Sequence, residues 1–123
     1  MTVDYGAEAS ELYGPDRFEG TLRAFKGHQF ARDVLDNPGS QDITTSVDWT
    51  AAMQFGKEFG FETERLERQD RFLLEFGLLE ELERRAAAAN TEAEKLTLRT
   101  AAREMILPGR LAQSFQVLLQ RKS

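Results

Sequence analysis

The sequence contains no cysteine and a single histidine, His28. These absences exclude disulfides, thiol catalysis, cysteine-based zinc sites and any site that needs two histidines. No apolar run approaches the length of about 18 residues that a membrane-spanning helix requires, and we expect no secretory leader because the first residues lack a basic segment. The nine glycines form no phosphate-binding loop. A cytoplasmic location is the default expectation.

The composition favours one globular domain with a modest core. The chain has 123 residues, of which 41% are hydrophobic and 30% are charged. A net charge of −5 argues against a general nucleic-acid binder. The charge is uneven, with −8 over residues 1–89 and +3 over residues 90–123. The asymmetry can reflect ordinary solvated faces, or an acidic N-terminal part that attracts a basic partner.

Periodicity predicts an α/β chain. The predicted segments are a strand at 1–5 that Gly6 stops, an irregular extended segment at 20–30, a helix at 48–59, a strand at 61–67, helices over 68–110 and a strand at 115–121. Asp48 is a good N-cap for the first long helix, and Thr91 with Glu94 forms a capping box for a later one. Gly77 is expected to divide the helices of the 68–110 segment.

Three groups of residues could carry chemistry, and each has an ordinary structural alternative. Asp4, Tyr5 and Gly6 end the first strand, where ligands bind in open α/β sheets, or they form a simple turn. His28 could act as a base or could bond to backbone in an extended segment. Trp49 could belong to an aromatic platform, but its helical spacing with Met53 is more typical of a core residue.

A small polar cluster precedes the predicted helix at 48–59. Asp42 and Asp48 are six residues apart with Thr44 between them, so their carboxylates could bind a cation or a guanidinium. The alternative is that these residues only cap the helix entry, which Asp48 suits in any case.

Taken together, seven short segments resemble a known family. They are residues 3–6, 20–25 with His28 close behind, 38–39, 41–44 leading into 47–49, residues 69, 72–73 and 77, residues 107–109, and 115–119. In this order and spacing they resemble the C-terminal part of the MidA family of S-adenosylmethionine-dependent methyltransferases, which includes the mitochondrial protein arginine methyltransferase needed to assemble respiratory complex I. The resemblance covers about residues 2 to 121. Trp49 departs conservatively, since the family more often has Phe there.

The resemblance implies a fold for the whole chain. It would be the C-terminal portion of a class I, Rossmann-like methyltransferase sheet, with three strands of which the last is antiparallel. Residues 18–46 would form an arm on the substrate side, and residues 68–110 a helical insertion. The cofactor-binding half of the family is not among these 123 residues. We therefore expect S-adenosylmethionine to bind the intact enzyme and not this chain alone.

The resemblance also implies roles for particular residues. Transfer of a methyl group to a protein arginine would place Asp4, Asp42 and Asp48 near the substrate as catalytic acids. The same resemblance implies that Tyr5, His28, Thr44 and Trp49 bind the substrate. No metal, nucleic acid or membrane is expected as a partner. The first strand would have an unprotected edge that could pair with a second copy or with a separate N-terminal half. A non-catalytic interaction or dimerisation module remains the alternative function.

Overall fold

The computed structural model describes residues 1–27, 29–31, 33–107 and 114–123. Within these ranges the elements follow the chain in this order: β1 (Thr2–Ala7), α1 (Ala9–Leu12), a 3₁₀ turn (Pro15–Arg17), β2 (Arg23–Lys26), β3 (Gln29–Ala31), β4 (Asp42–Thr44), β5 (Val47–Asp48), α2 (Trp49–Glu58), β6 (Phe61–Arg68), α3 (Gln69–Glu75), α4 (Leu78–Ala88), α5 (Glu92–Ile106) and β7 (Phe115–Lys122). The fold is thus mixed α/β.

The main sheet has four strands in the order β5-β1-β7-β6. The last strand, β7, runs antiparallel to both of its neighbours, with Val117 opposite Val3 on one side and Glu67 on the other. The short β5 pairs in parallel with the end of β1. Val117 and Leu118 are buried, so the middle of the sheet is also part of the core.

The first strand continues through Gly6, where the sequence predicts that it stops. Gly6 lies opposite Val47 of β5, and the indole of Trp49 packs directly on its backbone. A Cβ built on Gly6 would lie 2.6 Å from both Trp49 Cε2 and the carbonyl oxygen of Val47. Glycine is present because nothing larger fits under the indole, and not because the chain turns there.

The segment predicted as an extended arm contains a second sheet. Three short strands pair antiparallel in the order β3-β2-β4. Arg23 of β2 lies opposite Thr44 of β4, and Phe25 lies opposite Asp42. The Pro38-Gly39 loop falls between β3 and β4, and Asn37 and Gly39 both have positive φ there, as a tight turn of the chain requires.

Local signals account for the helix ends. The Asp48 carboxylate accepts a hydrogen bond of 3.0 Å from the Ala51 amide, which caps α2. The predicted capping box of Thr91 and Glu94 is confirmed at the start of α5. Gly77 has a φ of 86° and separates α3 from α4, which is the division that the sequence predicts.

The chain exposes far more surface than a compact protein of its mass. Its accessible area is 9388 Å², whereas a compact monomer of 14.0 kDa exposes about 6,700 Å². Many large apolar side chains are exposed in consequence, among them Met1 just before β1, Val3 on β1, and Phe55 and Phe59 around the end of α2. None of the helices in the described ranges is long and apolar enough to cross a membrane.

The packing of Trp49 on Gly6 predicts a contrast between two glycine-to-alanine changes. Gly6→Ala should lower the free energy of unfolding by about 1–3 kcal/mol, because the new methyl group overlaps the indole and a backbone carbonyl. Gly56→Ala is the matched control. Its Cβ would meet only the end of the flexible Gln120 side chain, and alanine within α2 should add up to about 1 kcal/mol of stability.

Urea denaturation followed by tryptophan fluorescence checks this contrast. Trp49 is the one tryptophan in the sequence and is fully buried, so its emission reports directly on the packing. Equal stability of the Gly6→Ala variant and the unmodified chain would contradict the steric argument.

Candidate functional site

A polar pocket of about 320 Å³ opens where β1 ends. We call it the arginine pocket; the side chains and backbone that line it include Tyr5, Arg17, Arg23, Ser46, Arg68 and Gln116. These residues come from the main sheet, from the second sheet and from the segments next to them. The Tyr5 ring, which forms one wall of the pocket, packs against the ring of Phe115 on β7, with 4.2 Å between the ring centroids.

Two of the three arginines in the pocket are neutralised by carboxylates. Arg17 pairs with Glu11, which also lines the pocket. Arg68 donates two hydrogen bonds to Asp70, from Nε at 3.0 Å and from Nη2 at 2.6 Å. Such fork-shaped pairs are strong and fix the direction of the guanidinium. These two arginines therefore shape the pocket without giving it net charge.

Arg23 has no carboxylate partner within the described residues. Its Nη2 donates a hydrogen bond of 3.1 Å to Ser46 Oγ, and its guanidinium carbon lies 5.8 Å from the centroid of the Tyr5 ring. Its Nε is buried with no acceptor, and the nearby Gln116 Oε1 is buried with no donor. The pocket therefore contains a partly buried cation and a hydrogen-bond acceptor without a donor. Burying such groups without partners costs free energy unless a ligand supplies the missing hydrogen bonds.

The three acids predicted as catalytic lie in different places. Asp4 accepts a hydrogen bond of 2.8 Å from the Tyr5 amide. Asp48 caps α2 and, on β5, lies opposite Ala7 of β1. Because side chains alternate along a strand, Ala7 faces the side of the sheet opposite to Asp4, and Asp48 therefore lies on the other side from Asp4. Asp42 is exposed on β4, in the second sheet. The described contacts do not join the three carboxylates in one cluster.

The predicted substrate-binding residues also separate. Tyr5 lines the arginine pocket. Thr44 lies opposite Arg23 in the second sheet. Trp49 is completely buried, and its contact with Gly6 fixes the end of β1. His28 lies outside the described residues.

Asp48 has a second interaction that the sequence does not suggest. A hydrogen bond to the Asp48 carboxylate, together with its negative charge, raises the pKa of Tyr13 above its ordinary value. The capping carboxylate thus also ties the segment after α1 to the start of α2.

The arginines of the pocket were not predicted from the sequence. Arg17, Arg23 and Arg68 lie on a 3₁₀ turn, on β2 and at the end of β6, and no local motif connects them. The one available signal was the alternation around residues 20–30, which placed Arg23 in an extended segment but could not give its neighbours.

The arginine pocket fits neither a metal ion nor the cofactor of the family that the sequence resembles. No group of three or more His, Asp or Glu residues in the described ranges is arranged to hold a metal ion. The arginine pocket lacks a glycine-rich loop, and the unneutralised Arg23 would attract the carboxylate of S-adenosylmethionine but repel its sulfonium and ammonium groups. The pocket is better suited to an anion.

Comparison with known proteins places the chain in a family. The sequence profile of a family described as "Putative S-adenosyl-L-methionine-dependent methyltransferase" matches residues 1–66, which is more than half of the chain. The mixed α/β fold and the match together define the class of protein. The chain belongs to this methyltransferase family.

Two solved structures from Burkholderia thailandensis, both described as members of one superfamily, resemble the whole fold. One was solved bound to S-adenosyl-homocysteine; it has a TM-score of 0.84 and 28% sequence identity over 98% of this chain. The other, described as uncharacterized, has a TM-score of 0.80 and 30% identity over 94% of this chain. The chain covers only 30% of either structure. The comparison with curated proteins found no match.

The tie between Tyr13 and Asp48 predicts a change in a tyrosine titration. Asp48→Asn should bring the pKa of Tyr13 back toward its ordinary value, because the neutral amide removes the charge, while asparagine still caps α2. Because the raised pKa belongs to the folded state, the tie stabilises the fold below the ordinary pKa and is lost as the pH rises through the raised one.

Absorbance of tyrosinate during a pH titration checks this expectation. The titration of a Tyr13→Phe variant assigns the signal, since Tyr5 is the one other tyrosine in the sequence. Asp16→Asn, which removes a nearby charge in the 3₁₀ turn, should leave the curve unchanged. An unaltered Tyr13 titration in the Asp48→Asn variant would refute the assignment.

Proposed function

We propose that the chain is the C-terminal segment of a MidA-like methyltransferase that, in the intact enzyme, transfers a methyl group from S-adenosylmethionine to a protein arginine. The family match over residues 1–66 carries this proposal. The match runs from β1 into β6 and includes Tyr5, Arg17 and Arg23 of the pocket. The related structure bound to S-adenosyl-homocysteine supports the choice of cofactor.

The status of the chain as a segment is supported by length and by surface. The related structures are more than three times as long as the region that this chain matches. The surface exceeds that of a compact monomer by about 2,700 Å², an amount typical of a large protein interface. The remaining part would cover this surface and contribute the cofactor site. We place the intact enzyme in the cytoplasm.

The proposed roles of the acids follow from the chemistry of the acceptor. A guanidinium is a cation with several N–H donors, so a carboxylate can orient it and accept a proton as the methyl group is transferred. We propose Asp4, Asp42 and Asp48 as the candidates for this work, although the described contacts do not bring their carboxylates together in this chain. Tyr5, His28 and Thr44 are the candidates for contact with the substrate. Trp49 is buried, and its part is to hold the end of β1 in position.

The first test of this proposal measures cofactor binding. Isothermal titration of the chain alone with S-adenosylmethionine should give no binding heat. Co-expression with the part of the Burkholderia protein that lies outside the matched region should give a complex that binds S-adenosyl-homocysteine. The Gly6→Ala chain is a control, because it should assemble less well. Micromolar binding by the chain alone would overturn the proposed division of the cofactor site.

The second test uses the assembled complex and a radiolabelled methyl donor. Label should enter a peptide with arginine and not the same peptide with lysine at that position. Transfer to lysine alone would refute the arginine assignment while leaving the methyltransferase assignment in place.

A non-catalytic association module is the second candidate, and the free edge of β1 favours it. Among the described residues, positions 2–5 of this strand pair only with β7, because β5 reaches no further than Gly6. Met1 and Val3 are exposed beside this edge. An unpaired strand edge with exposed apolar side chains tends to pair with another chain.

Size-exclusion chromatography with light scattering tests self-association at increasing protein concentration. The module hypothesis predicts a dimer or larger species, and Val3→Lys at the β1 edge should shift the equilibrium toward monomer. Met105→Lys, on α5 away from this edge, is the control. A clean monomer at high concentration would exclude association through β1.

A further inference from the structure

The arginine pocket contains a positive charge that the chain does not neutralise. Arg17 and Arg68 have carboxylate partners, but Arg23 has only the hydroxyl of Ser46 and the face of Tyr5. The residues outside the described ranges are 28, 32 and 108–113, and none of them is Asp or Glu. No other side chain of this sequence therefore supplies the missing carboxylate to Arg23.

The polar groups left without partners define the ligand that would complete them. Arg23 Nε has no acceptor and Gln116 Oε1 has no donor, and both atoms are closed to solvent, so a ligand reaches them when the side chains that line the pocket shift. A single unneutralised cation matches a singly charged carboxylate better than a phosphate dianion, and a guanidinium binds a carboxylate through two parallel hydrogen bonds. A peptide that carries an acidic side chain offers both the carboxylate and a nearby backbone N–H.

We propose that the arginine pocket binds the carboxylate of an Asp or Glu side chain of a polypeptide, with Arg23 as the binding residue. The site uses none of the acids assigned to the acceptor arginine, although it shares Tyr5 with the proposed substrate contacts. If the proposed methyltransferase function is also correct, the pocket would select substrates that have an acidic residue near the methylated arginine. Binding can be measured without any methyl transfer, so the two proposals fail separately.

Nuclear magnetic resonance of the arginine Nε–Hε group gives a direct readout. Titration of the unmodified chain with N-acetyl-glutamate methylamide should shift the Arg23 Nε–Hε signal in a saturable way at constant ionic strength. N-acetyl-glutamine methylamide has the same shape without the charge, and should bind about tenfold more weakly or worse. Equal binding of the two probes would overturn the proposal.

Variants test whether Arg23 is the residue responsible. Arg23→Gln should weaken binding of the glutamate probe by about tenfold or more, and Arg23→Lys should weaken it less because the charge remains but the fork-shaped geometry is lost. Arg84→Gln, which breaks an exposed ion pair on α4, is the control and should bind normally. Unchanged binding by a folded Arg23→Gln chain would refute the assignment. The titration of the unmodified chain decides the question if the variant does not fold.

A third probe distinguishes a carboxylate that belongs to a polypeptide from one that belongs to a small free molecule. Sodium acetate has the charge but no amide N–H, so a polypeptide site should bind it more weakly than the glutamate probe. Acetate binding of equal strength would overturn the polypeptide part of the proposal and assign the pocket to a small free carboxylate.

Discussion

The position of β7 between β1 and β6 is the constraint on which the rest of the structure depends. These two strands lie far apart in sequence and have no hydrogen bonds to each other; each pairs with the last strand of the chain. Val117 is buried at the centre of this arrangement. The same pairing brings Gln116 opposite Asp4 and Phe115 against Tyr5, so the arginine pocket exists only when the C-terminal strand has inserted.

A second contact fixes the end of β1 to the helical layer. The indole of Trp49 lies on the backbone of Gly6, one residue after the Tyr5 wall of the pocket. Asp48, next to Trp49, caps α2 and holds Tyr13. Residues that pack the core, cap α2 and line the pocket are therefore next to one another in the structure. This explains in physical terms why the sequence has glycine at position 6, beside residues that the family resemblance singles out.

The features that were predicted correctly are those that depend on residues close together in the sequence. Alternation indicated strands near 1–5, 61–67 and 115–121, and capping chemistry indicated the starts of α2 and α5, because a side chain and its backbone partner are three residues apart there. The sequence alone could not show that Gly6 lies inside a strand, since the cause is an indole 43 positions later. Nor could it show the pairing of β2, β3 and β4, or the pocket, since both depend on long-range register.

Net charge was a poor guide to the character of the site. The chain is acidic, yet many of its carboxylates are already paired: Glu81, for example, receives hydrogen bonds from Arg84 and Arg85, which lower its pKa to about 2. What recognises a ligand is the charge left unpaired at a particular place, and at the arginine pocket that charge is positive. A methyl-acceptor arginine would need acids, and a neighbouring acidic residue would need Arg23. A polypeptide that carries both charges would therefore be recognised better than one that carries either alone.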